Sequence, residues 1–340
     1  MNVPGRICID FSEVSMVMRR KALYGACSAV GMMILILDSK TGFLAAKSGI
    51  ALCLATVIPS LFPFIFLSIL LSDSLMGAKI PILRSLGTCL KIPEGTESLL
   101  LCGFLGGYPS GAIAISNAFH AGSLSRHEAE RLLSFCNNAG PAFIFGMGLS
   151  VFADGRIPWI LWGIHILSAV VAGILIPGAH RSSAELAGKR KSSAISAAVS
   201  AMACVCAWVI LFRVVIGFLD RWLLWLLPTE AKVAAVGFLE LSNGFCALAL
   251  VKDVRIRLIL CSAMLALGGL CVTMQTITVT KGLHLTKYYL GKVIQFFISL
   301  LLSVTVAYGL WWLLPLSAAI IACFLGIFKK YCRNTTPVHV

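Results

Sequence analysis

Apolar residues recur along this chain in runs of roughly 20, the length that crosses a bilayer as a helix, with short polar loops between them. The runs 22–38, 50–72, 98–120, 131–152, 157–177, 194–219, 232–251, 257–280, 288–310 and 311–328 are the candidate segments, the last two nearly continuous. Four of them are broken where a spanning helix should be smooth. The first pair of breaks is Gly103-Phe-Leu-Gly-Gly-Tyr-Pro-Ser-Gly111 and Asn137-Asn-Ala-Gly-Pro141. The second is Gly237-Phe-Leu-Glu-Leu-Ser-Asn-Gly244 and Gly268-Gly269, followed by Thr273, Gln275 and Thr276. In hydrocarbon an interrupted helix leaves N–H and C=O groups unpaired unless they face protein or a wet cavity. Paired interruptions at corresponding places in two halves point to the substrate site of a secondary transporter.

Composition agrees with a membrane environment. Of 340 residues 59% are hydrophobic and 12% charged, and the mean hydropathy is +0.94; a soluble domain carries about 25% charge. The net charge of +14 sits in short loops, as the positive-inside rule requires. No basic stripe carries the interleaved aromatics that bind nucleic acid. The thirteen cysteines form no CxxC pair and lie mostly inside apolar runs, so they read as packing thiols.

Loop charge sets the topology. Arg19, Arg20 and Lys21 place the N-terminus in the cytoplasm. If every segment crossed, the loop with Arg181, Lys189, Arg190 and Lys191 would lie outside, against the charge bias. Folding 98–120 into a re-entrant hairpin, with its turn at Gly106–Gly111, makes loops 73–97, 121–130 and 178–193 cytoplasmic. Treating 232–251 likewise puts the tail with Lys329, Lys330 and Arg333 inside, but leaves Lys252, Arg255 and Arg257 external. The expected fold is all-α, with about eight spanning helices plus two re-entrant hairpins. It divides into an N-terminal helix and leader (1–48), a first repeat (49–177), a basic linker (178–193), a second, inverted repeat (194–310) and a C-terminal helix with a basic tail (311–340).

The breaks also hold the candidate chemistry. Ser125-Arg-His-Glu128 is a capping box, so a helix starts near Arg126 and runs inward until Asn137-Asn138 stops it. Pro141 suits the first position of a restarted helix, capped by Asn138 or Gly140. Ser110 or Gly111 opens the returning arm of the hairpin. Two helix N-termini with free N–H donors would then meet and favour an anion. The candidate substrate contacts are Gly107, Tyr108, Pro109, Ser110, Gly111, Asn137, Asn138, Gly140, Pro141, Ser242, Asn243, Thr273 and Gln275. Glu240 is an ionisable group inside an apolar segment, a functional candidate by default. It would carry a proton, bind a cation or pair with Arg213, unless Arg213 snorkels to the interface. His165 reads as a packed histidine, and Lys292, near a helix start, as a snorkelling lysine. No phosphate loop or HExxH is present, so no enzyme and no cofactor is expected.

Pro59-Ser-Leu-Phe-Pro63, Gly103-Phe-Leu-Gly-Gly-Tyr-Pro-Ser-Gly-Ala112, Leu132-Leu-Ser-Phe-Cys-Asn-Asn-Ala-Gly-Pro141 and Gly237-Phe-Leu-Glu240 resemble the YlbJ (SpoVV) sporulation integral membrane proteins. Those belong with the nucleoside-recognition, or Gate, domain proteins, which are related to concentrative nucleoside transporters. The resemblance implies hairpins, broken helices and an inverted repeat. It also implies a role in spore formation: moving dipicolinic acid, a planar dianion, across the outer forespore membrane. A nucleoside transporter of the same architecture, or a non-transporting membrane partner in spore assembly, are the alternatives. The second broken segment departs from the pattern, having no Asn-Asn-Pro equivalent.

Overall fold

The computed structural model describes residues 11–75, 77–78, 80–178 and 193–315. The linker charges Arg181 to Lys191 and the tail beyond 315 lie outside the described residues, as does part of the last candidate segment. Among the described residues the regular structure is entirely helical. Five stretches are long and apolar enough to cross a membrane: Ser39–Leu75, Ile157–Leu175, Ala194–Trp222, Val254–Val279 and Thr286–Tyr308. The chain is an all-α polytopic membrane protein.

Helix α1 spans Phe11–Leu37 and α2 Ser39–Leu52. α2 runs on into α3 (Ile58–Leu75) through a wider π turn at Cys53–Val57. Pro59 and Pro63 follow that turn, each withholding an N–H from the ladder, and a π turn is a usual way to absorb such a gap. The segment 50–72 is therefore the second part of a 37-residue stretch. In the polar loop that follows, α4 (Pro81–Cys89) forms a short helix. Its Arg84 bonds Glu94 and, at 2.9 Å, the buried Glu97.

The four broken segments become helix pairs. Segment 98–120 is α5 (Glu97–Leu105) and α6 (Ser110–His120), which pack against each other. Their arms meet at glycine: a Cβ on Gly111 would lie 3.0 Å from Gly103 Cα. The turn residue Gly107 has φ +79°, and the Tyr108–Pro109 bond is cis. Next come α7 (Arg126–Leu133) and α8 (Pro141–Val151). α7 opens with the expected capping box between Ser125 and Glu128, and α8 has Gly140 as N-cap and Pro141 at its first position. A single long helix, α9 (Ile157–Leu175), follows.

The same order then returns. Long α10 (Ala194–Trp222) leads to the pair α11 (Thr229–Leu239) and α12 (Leu241–Ala247). Here too glycines allow the arms to touch, Gly244 against Gly237. The broken helix is α13 (Val254–Leu267) and α14 (Gly269–Val279), separated at Gly268 in the left-handed region, φ +73°. Long α15 (Thr286–Tyr308) closes the set and ends at Gly309, φ +68°, so 288–310 does not continue unbroken into 311–328. The halves exchange contacts: α6 packs on α14, and α12 on α8.

Of the positive side chains of loop 252–257, Arg255 lies over the Tyr308 ring and Arg257 is held by backbone carbonyls. Asp253 caps α13 by accepting from the backbone N–H of Arg255 at 2.8 Å. Arg257 turns onto backbone, donating to Val151 O at 2.7 Å and Val251 O at 2.6 Å, with Phe152 beneath its guanidinium. Arg131 does the same in the first half, donating to Gly173 O and Ile176 O at the end of α9.

Close approach at the breaks gives a direct test. A Cβ on Gly111 would overlap the Cys136 carbonyl, whereas Gly146 and Gly163 have open space around them. Gly111→Ala should destabilise the protein by about 2 kcal/mol or more through overpacking. Gly163→Ala should be neutral or stabilising by about 0.5–1 kcal/mol. Thermal melting in detergent checks both; equal melting temperatures for the two variants would mean that the arms are not tightly packed.

Candidate functional site

The first hairpin tip, the α7–α8 break and α15 meet in a buried polar cluster. At its centre is Lys292, 4% exposed. Its Nζ donates to Asn137 O at 2.7 Å, Tyr108 Oη at 3.0 Å and Gln295 Oε1 at 3.0 Å, and reaches Asn138 Oδ1 at 3.4 Å. All four partners are uncharged oxygens. The Tyr108 ring lies 5.0 Å from Nζ and the Tyr288 ring 5.9 Å. This overturns the snorkelling reading. Lys292 faces inward because Gly291, beside it, packs α15 directly on Ser134, where a Cβ would come within 2.8 Å of the carbonyl carbon. Close packing there leaves the lysine no route to the surface.

The neighbours form a second ring of bonds. Asn138 donates through Nδ2 to Phe135 O at 2.6 Å, and Gln295 donates through Nε2 to Asn138 Oδ1 at 3.1 Å. Tyr108 donates to Leu265 O at 3.1 Å, tying the first hairpin to α13. Asn137 donates to Thr276 Oγ1 on α14 at 3.0 Å, and its own Oδ1 has no bonded partner. His165 on α9 accepts from Ala139 N–H at 3.0 Å through Nε2. It is packed and satisfied, as expected, and also touches Gln295.

The remaining candidates divide into two groups. Gly107 and Gly140 pack together, a Cβ on Gly140 lying 2.8 Å from Gly107 N. The N-termini of α6 and α8 therefore meet, and no side chain caps either. Pro109 is the N-cap of α6, and Ser110 Oγ donates to Gly106 O at 2.9 Å. On the other side, Glu240 sits in the second hairpin turn, 2% exposed. Its carboxylate accepts from Ser242 N–H at 3.0 Å and from Asn243 N–H and Nδ2 at 2.7 and 2.6 Å. It is the N-cap of α12, using both oxygens. Thr273 bonds back to Gly269 O. Between the groups lies a cavity of about 30 Å³, with Tyr108, Gly140, Glu240, Ser242 and Gln275 in its wall. That holds roughly one or two waters, so an organic solute needs the hairpins to part.

Arg213 does not pair with Glu240. It sits on α10 beside Gly49 and donates to Ser48 Oγ at 3.3 Å, while the Glu240 oxygens are filled by backbone and amide N–H groups. Removing a charged cap of this kind costs about 2 kcal/mol. Glu240→Ala should therefore lower the melting temperature, and Arg213→Gln should not rescue Glu240→Gln. Restoration of wild-type melting in the double variant would re-establish the ion pair.

Lys292 and Gln295 were overlooked as site residues, yet a signal existed. On α15, Tyr288, Lys292, Gln295, Ser299 and Ser303 recur every three to four residues, and all are buried. A polar stripe at helical spacing in a lipid-facing segment marks the side turned inward.

No family model matches the chain, and no solved structure matches it. It is similar to the sporulation integral membrane protein YlbJ of Bacillus subtilis (strain 168), 31% identical over 144 residues. The match covers 40% of this chain and 34% of that protein, about a third of the relative's length. The chain is thus a multi-pass integral membrane protein related to a YlbJ-type sporulation protein.

Proposed function

We propose that this protein is a secondary transporter or facilitator of a small anionic solute. The observation that carries the reading is Lys292: an ammonium buried where the helix breaks meet, bonded only to neutral oxygens. Burying a charge costs several kcal/mol, and its natural complement is an anion. The uncapped N-termini of α6 and α8 act in the same direction, each contributing roughly half a positive charge. Interrupted helices in two corresponding halves are the usual setting for such a site.

The leading substrate is dipicolinic acid, moved into the forespore during sporulation. Similarity to a sporulation membrane protein supports the setting, and a planar dianion suits one cation flanked by helix N-termini. Glu240, in the wall of the small cavity that Tyr108 and Gly140 also line, is the candidate for proton coupling; Lys292 lies behind Tyr108, outside that wall. The positive-inside rule applied to Arg19, Arg20 and Lys21, and to Lys329, Lys330 and Arg333, supports cytoplasmic termini. A second reading, a non-transporting partner in spore assembly, is favoured by the small size of the cavity.

Uptake into vesicles containing only this protein separates these readings. Labelled dipicolinate should enter saturably and uridine should not. Lys292→Gln should reduce dipicolinate uptake by about thirtyfold or more while the protein still inserts, since loss of a buried charge partner costs at least about 2 kcal/mol. Uptake of uridine alone would favour a nucleoside carrier, and uptake of neither the assembly partner.

A further inference from the structure

The oxygens around Lys292 resemble a cation-coordination shell more than a chance set of acceptors. Each has its direction fixed from elsewhere. Asn138 is held with Oδ1 toward Nζ because its Nδ2 is bonded to Phe135 O. Gln295 presents Oε1 because its Nε2 is bonded to Asn138 and the His165 carbonyl. Tyr108 directs its O–H to Leu265 O, so a lone pair faces the lysine. The Asn137 carbonyl is freed by the α7–α8 break, where no helical N–H pairs with it, and it makes the shortest contact of the four. The Tyr108 and Tyr288 rings complete the enclosure, an arrangement that favours soft cations such as ammonium groups.

We infer that this cage is a monovalent-cation site filled by the chain's own Lys292 Nζ. Lys292 supplies from α15 the positive charge that a bound metal ion would otherwise bring to the helix break. Oxygen distances of 2.7 to 3.4 Å exceed the roughly 2.3–2.6 Å shell of calcium. They fit an ammonium ion or an ion of potassium size. A preorganised shell of this kind should keep its affinity once the tether is cut, as a pocket built for a group retains its shape when that group is deleted. The inference does not depend on transport, because the cage exists whether or not a solute passes.

The test is cation rescue of the full-length protein in detergent. In wild type, replacing choline chloride by ammonium or potassium chloride at equal ionic strength should leave the melting temperature unchanged. In Lys292→Ala, whose side chain vacates the cage, the same exchange should raise it by about 2–4 °C when the ion is present well above its dissociation constant. Adding Asn138→Ala should abolish the rise. If Lys292→Ala folds only in ammonium, that is the same result in stronger form. Should it fold in no salt, Lys292→Ser is titrated in its place. A folded variant indifferent to every cation, or both variants unfolded even in ammonium, overturns the inference. Uptake measurements are not needed, so a failure here is separable from a failure of the transport reading.

Discussion

The hydrogen bond from Lys292 to the Asn137 carbonyl is the contact on which the centre of this structure depends. Asn137 lies where α7 has ended and α8 has not begun, so its carbonyl has no helical partner. In an apolar medium such a group costs several kcal/mol unless something answers it. Lys292 answers it from α15, and with the same ammonium engages the tip of the first hairpin through Tyr108. Tyr108 in turn reaches Leu265 at the edge of the second break. Both interrupted regions are joined through two side chains, without an ion pair.

The second hairpin solves the equivalent problem differently. Its turn carries its own anion, Glu240, which caps the α12 N-terminus with both oxygens. The first hairpin has no such group, and the N-termini of α6 and α8 stand uncapped by side chains. The two halves share an order of helices but differ in charge at their breaks. One break offers donors and a cation, while the other is already satisfied by a carboxylate. Under the proposed function this asymmetry favours the first-hairpin side of the cavity, near Tyr108 and Gly140, for the anion.

How much of this was readable beforehand follows from the range of the interactions. Interruptions at Gly106–Pro109, Asn137–Pro141, Glu240 and Gly268 are local events, written in Gly, Pro and Asn. Capping at Ser125 and Glu128 is also local, spanning three residues. The burial of Lys292 is not. Lysine seven residues into a helix looks interfacial until α15 is known to lie against Ser134 through Gly291. Whether Glu240 meets Arg213, one of the alternatives, was open for the same reason: separation along the chain says nothing about which face of α10 meets α2. Merging of 39–75 into one stretch was missed because Lys40, Lys47 and Ser48 read as a polar boundary before the apolar run at 50.

The position of Lys292 has a consequence for biogenesis. α15 follows every other element of the two halves, so Lys292 is synthesised after all four breaks. Until then the Asn137 carbonyl, the Asn138 amide and the Tyr108 hydroxyl face one another with no cation among them. A nascent chain stopped short of residue 292 would hold its helices but could not lock them together. Closure of the bundle around the breaks therefore waits for α15, the last long helix among the described residues.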